Sequence, residues 1–231
     1  MTLFERYQNG ETTAVYDEIY AMKEDAFAPE IFPQIDLVLN ETFKRVAFNL
    51  DIIHKELKKI NYHFASDIQN DWQRPLVPPY SNTADLLSQL KSRVHNAGHI
   101  PLSLEYFYKH IGGCNFCWEW NTKPEIPWEG ADPLDIPPIE NLFEMIEDDH
   151  EDNEIFISGD ELQKDNVSGS AYYIELTTAP SIDSIFTGYD MPFIEYLRLT
   201  MNNCGFTLAD QCDYESLYAF CNYVRPKLQK I

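Results

Sequence analysis

The chain has 231 residues, with 38 acidic side chains against 17 Lys and Arg and a net charge of −21 at neutral pH. Its 44 % hydrophobic content, including 14 Tyr and 14 Phe, argues for a packed core and against a disordered chain. So acidic a surface repels phosphate backbones and anionic lipid headgroups, which argues against direct binding of nucleic acid or a membrane surface. No stretch approaches the roughly 18 uninterrupted apolar residues of a membrane span.

The acidity is unevenly placed. Residues 1–99 carry 10 Lys and Arg and 14 Asp and Glu, a net of −4, whereas residues 100–231 carry 7 and 24, a net of −17. A basic protein would be attracted to such a surface and steered by it; plain solubility is the competing explanation. The first ten residues lack a basic segment followed by an apolar one, and the five cysteines are irregularly spaced. A cytoplasmic protein with reduced thiols is therefore expected.

In chain order, residues 4–24 predict one or two helices broken near Gly10, with Val15, Ile19 and Met22 on one face and Thr12 or Thr13 as cap. From Pro33 to Ile60 the apolar residues Ile35, Leu39, Thr42, Val46, Leu50, Ile53, Leu57 and Ile60 recur every three or four positions. They predict a long amphipathic helix, either a scaffold or a dimer seam. Glu41–Arg45 and Asp51–Lys55 are acid-then-base pairs at helical spacing, and Asn61 suits the helix end. Tyr62, Phe64, Trp72, Pro75, Pro78 and Pro79 mark a loop. Asn82, with Asp85 three residues on, predicts a capped helix with Leu86, Leu87, Leu90 and Val94 inward, stopped by Gly98.

Residues 100–116 then predict a short helix with Pro101 and Ser103 at its start, Leu104, Phe107, Tyr108 and Ile111 inward, and Gly112 and Gly113 at its end. The aromatic run 116–120 predicts a strand. Prolines 124, 127, 133, 137 and 138 forbid regular helix beyond it. Short elements are expected at 134–136 (strand), 139–145 (helix) and 155–158 (strand), followed by a turn-rich connection and a strand at 171–176. A helix opened by Pro192 and a last helix over 214–228 complete the chain.

Several of these segments resemble the SUKH superfamily. Residues 100–116 are similar to its Leu-Pro-x-Ser-x-x-x-Phe-Tyr…Gly-Gly-x-Asn-Phe start, and Asp132-Pro133-Leu134 to the Asp-Pro-Leu that follows. Tyr172-Tyr173-Ile174, residues 193–198 and Cys204-Gly205-Phe206 look like its late strand and closing helix. The N-terminal motifs Tyr7-Gln8-Asn9-Gly10-Glu11 and Glu41-Thr42-Phe43-Lys44-Arg45 with Asn49 resemble the helical half of a bacterial family that places such a domain before a SUKH-like module. The resemblance implies an α+β protein: a helical domain with linker over 1–81, then a module over 82–231 with a mixed β-sheet flanked by helices. It also implies a non-enzymatic binding role, in many members that of an immunity protein neutralising a toxin domain. The chain departs from the pattern at Cys204, where the family often has a second glycine.

Two constellations remain. Cys114 and Cys117, with His110 and a fourth ligand from His99, Cys204 or Cys212, would suit zinc; otherwise the two cysteines are small buried apolar residues. This region is the alternative reading, a zinc protein or an enzyme. No cofactor is expected, and no nucleophile elbow, phosphate loop or zinc helix is present. Trp118, Trp120 and Trp128, with the acidic residues Glu147, Asp148, Asp149, Glu151 and Asp152, are the candidate surface for a basic protein partner.

Overall fold

A computed structural model describes residues 1–65, 74–146 and 152–231. The N-terminal part is helical: α1 (Leu3–Gln8), α2 (Thr12–Met22), a 3-10 turn over Lys23–Phe27 and α3 (Phe32–Lys59). Thr2 caps α1 in a reciprocal box with Glu5, whereas neither Thr12 nor Thr13 caps α2. There the cap position falls on Glu11, and Thr12 is buried one residue inside the helix.

Helix α3 has 28 residues, about 42 Å at 1.5 Å each. It buries the predicted stripe through Leu57, and both acid–base pairs form, Arg45–Glu41 at 2.8 Å and Lys55–Asp51 at 2.5 Å. Ile60 departs from the stripe and is 51 % exposed. Asn61 takes a positive φ of 57°; its N–H bonds Lys58 O, and Tyr62 N–H bonds Leu57 O. This Schellman turn satisfies the last carbonyls and sends the chain back along the helix.

Next come β1 (Leu76–Val77), α4 (Thr83–Arg93), α5 (Leu102–His110), β2 (Gly113–Asn115), β3 (Asp135–Ile136), α6 (Ile139–Met145), β4 (Glu154–Gly159) and α7 (Glu161–Lys164). The chain closes with β5 (Ala171–Glu175), β6 (Ile185–Phe186), β7 (Met191–Pro192), α8 (Phe193–Asn202), α9 (Glu215–Val224) and a 3-10 turn over Arg225–Lys227. The α+β class holds. Where a mixed sheet was expected, the described strands form two small sheets, β1-β2-β3 and β4-β5-β6-β7, with every pairing antiparallel. The links β5–β6 and β6–β7 are too short for the helical crossover that parallel neighbours need.

Three other local expectations are corrected. Asn82 makes no side-chain cap; instead the Thr83 hydroxyl donates to Tyr80 O. Ser103 lies inside α5, whose cap position is Pro101. The run 116–120 is no strand: β2 stops at Asn115, and Trp118 pairs with Phe64 in a single bridge. Gly112 does end α5 with φ +88°, and a Cβ there would lie 2.5 Å from Val77 O.

One apolar core runs through both halves of the chain. Helix α3 packs on α5, α8 and α9, and β1, from before residue 82, pairs with β2. Arg198 of α8 fastens the halves together: its guanidinium donates to Thr12 O at 3.1 Å and Ile231 O at 3.0 Å, pairs with Glu195, and lies over the Tyr16 ring. Asn49 of α3 likewise exchanges two hydrogen bonds with the backbone of Gln229.

Candidate functional site: an aromatic groove

The turn at Asn61 places Tyr62 among rings from three other segments. Tyr62 stacks on Trp128 at 5.5 Å and meets Trp118 edge-on at 5.0 Å, and its hydroxyl donates to Phe116 O at 2.8 Å. Trp128 meets Phe206 edge-on at 4.9 Å and Phe220 of α9 at 5.6 Å. Each indole N–H has a partner, Trp118 on Lys123 O at 2.7 Å and Trp128 on the Ser216 hydroxyl at 3.0 Å. Such pairing fixes the rings without leaving a buried donor unsatisfied.

Above these rings lies a groove of about 560 Å3, walled by Tyr62, Trp118, Trp128 and Phe220 and rimmed by Ile60 and Tyr223. Ile60 is 51 % and Tyr223 62 % exposed, and Tyr218, on the same helix as Tyr223, is 70 % exposed. Large apolar side chains left in water around a concave aromatic surface are characteristic of a binding site. The Lys227 ammonium lies 3.4 Å from the centre of the Tyr223 ring and pairs with buried Glu56, which also holds Lys59. This triad ties the chain after α9 to α3, so both walls of the groove are braced.

The structure divides the predicted surface. Trp118 and Trp128 meet in the groove, Trp128 as its buried floor. Trp120 lies apart, beside a recess of about 210 Å3 with Cys117, Asp135, Phe156 and Lys164. Asp152 is exposed just before β4, whose far end, Gly159, lines that recess. Glu147, Asp148, Asp149 and Glu151 lie outside the described residues, as does Trp72.

Beside the recess, the buried Lys164 ammonium pairs with Asp132 at 2.5 Å, and Tyr189 donates to the other Asp132 oxygen at 2.5 Å. Burial works against the Lys164 charge, but Asp132, Tyr196, Cys117 and Asp135 together outweigh it, and the pKa stays above its ordinary value. Asp165, one residue on, accepts from Gly130 N–H, and burial pushes its carboxyl up to about 6. Lys164 has its counter-ion in place and stays charged, which suits a structural cation better than a general base.

Cys114 and Cys117 are buried, and burial pushes both thiols well above their ordinary range. His110 is turned away onto Asn40 at 3.1 Å. Among the described residues no three His, Cys, Asp or Glu side chains converge as metal ligands. No helix among them is long and apolar enough to cross a membrane.

Sequence reasoning singled out the tryptophans but missed Ile60, Tyr62, Phe220 and Tyr223. The one local sign was the helix-ending Asn61, since it turns the residues on either side of it out of the α3 stripe. Comparison with family models, curated proteins and solved structures gives no match.

Proposed function

We propose that this protein is a non-enzymatic binding module that receives an apolar side chain of a basic protein partner in the groove of Tyr62, Trp118, Trp128 and Phe220. The observation that carries this reading is the exposure of Ile60 and Tyr223 around a braced, concave aromatic surface. The groove supplies a central apolar anchor site, the part of an interface where binding energy concentrates. The net of −17 over residues 100–231 supplies long-range attraction, which favours a cationic partner and speeds encounter. The SUKH-like motifs of the sequence add the partner class: a toxin domain, held and occluded by an immunity-type protein.

The test is co-purification from the native host at low salt, followed by a salt titration. A retained basic protein that is released as salt rises, and that an Ile60→Ser/Tyr223→Ser variant fails to retain, fits the proposal. Retention of an acidic protein, or equal retention by the variant, refutes it. Both substitutions are on exposed side chains, so the fold should tolerate them.

A further inference from the structure

Directly behind the groove, Cys204 and Cys221 face each other. Cys204 occupies the turn after α8 and Cys221 lies on α9, both buried. Each thiol crosses to the other's segment: Cys204 Sγ is 3.6 Å from Cys221 O, and Cys221 Sγ is 3.6 Å from Asn203 O. Each sulfur therefore lies against the backbone of the other cysteine's segment. The remaining thiols lie elsewhere; Cys114 and Cys117 are on the β2 side, and Cys212 points to Glu129 O at 3.9 Å.

The backbone sharpens the point. Cys204 has a φ of +55°, a conformation in which glycine is free of strain and a side chain is not. The neighbouring Gly205 has φ +92°. A cysteine held at such a position, its sulfur against the backbone of a second cysteine, is explained by its sulfur better than by its packing.

We propose that Cys204 and Cys221 are a thiol pair that closes to a reversible disulfide in response to a peroxide. The neighbouring Cys204 thiol and the Arg225 guanidinium together hold the Cys221 thiol below its ordinary value, so Cys221 is the nucleophile. Its thiolate attacks one oxygen of hydrogen peroxide, the O–O bond breaks, and hydroxide leaves to take up a proton as the first water. The Cys221 sulfenic acid is then attacked by the Cys204 sulfur; the S–S bond forms, and the sulfenic oxygen leaves with the Cys204 proton as the second water. Two electrons pass from the two thiols to the peroxide.

The site also bears on the groove, on the strength of the binding proposal above. Phe206 and Phe220, two residues and one residue from the paired cysteines, are the rings that hold Trp128. Closing the disulfide draws the α8 turn toward α9 and moves both rings against that indole. The disulfide is scored without any partner, so its failure and a failure of the groove proposal are distinguishable.

The experiment treats the full chain with near-stoichiometric hydrogen peroxide, then denatures and alkylates it for intact mass. The expected result is a fall from five alkylatable thiols to three, restored to five by dithiothreitol, with no intermolecular product. No Lys or Arg separates Cys204 from Cys221, so the link is mapped by cleavage at Asp210, Asp213 or Glu215. Cys212→Ser should form the same bond, Cys221→Ser should keep all four remaining thiols, and Cys204→Ser should form no disulfide, its Cys221 stopping at the sulfenic acid. A bond through Cys212, a bond between chains, or five unreacted thiols would overturn the proposal on the wild-type protein alone. Tryptophan emission should shift on oxidation of wild type and not of Cys204→Ser; a disulfide without that shift refutes the link to the groove.

Discussion

The indole N–H of Trp128 donates to the hydroxyl of Ser216 at 3.0 Å, joining the floor of the groove to the first turn of α9. Trp128 is buried and Ser216 exposed, so the bond is supplied from the rim. Ser216→Ala leaves a buried donor without its partner and should cost about 1 kcal/mol in urea unfolding. It should also shift the Trp128 emission; an unchanged midpoint and spectrum would show that the bond does not hold the floor.

The Lys164–Asp132 pair is almost fully removed from water. Removing one member strands the other charge in the core, so Lys164→Met should destabilise by about 3–5 kcal/mol at neutral pH. The double variant Lys164→Met/Asp132→Asn should recover part of that loss, because no uncompensated ion remains. A cost below about 1 kcal/mol for the single variant would contradict the assignment of Lys164 as a structural cation.

Asn61 sets the geometry of the groove from the end of α3. At its φ of 57° a Cβ without a local polar group is disfavoured. Asn61→Ala should therefore lower stability by about 1 kcal/mol, and Asn61→Gly should leave it unchanged or slightly higher. Thermal unfolding of the pair decides this; equal losses in both would mean that the side chain, not the backbone, matters there.

Stability should depend on pH through Asp183. Burial pushes its carboxyl up to about 6, against hydrogen bonds that include those from Ile194 N–H and the Tyr20 hydroxyl. The folded chain thus holds this proton more tightly than the unfolded chain, in which a carboxyl titrates near 4. Its contribution is fully present below pH 4 and is lost as pH rises to about 6. Asp165 carries the same sign, and Glu56, lowered by its hydrogen bonds to Lys227 and Lys59, the opposite. The free-energy difference between wild type and Asp183→Asn should therefore move in the variant's favour between about pH 4 and 7. A flat difference would remove Asp183 from the account.

Much of the helical frame was legible because its signals are local. Helix α6 occupies the predicted 139–145, and α3 runs within a residue of its predicted ends, where Pro33 and Asn61 punctuate a sustained period. The strands were harder. β6 and β7 are two residues long and exist by pairing, which leaves no period to read. The run from Phe116 to Trp120 has strand-like composition, yet its rings turn to Tyr62 and Phe64, and only one bridge forms. Helix α7 is a single turn capped by Asp160, inside what reads as a turn-rich connection. The groove was half legible: tryptophans beside prolines mark 118–128, but Ile60 and Tyr223 come from distant helices and are brought together only by the packing of α3 on α9.

The most direct measurement of the central proposal is amide hydrogen exchange on the protein with and without the basic partner retained from its host. The account predicts that protection on binding concentrates at residues 60–62, 118–128 and 215–224. Protection confined to the segments around Asp152 and β4, with the groove segments unchanged, would contradict it.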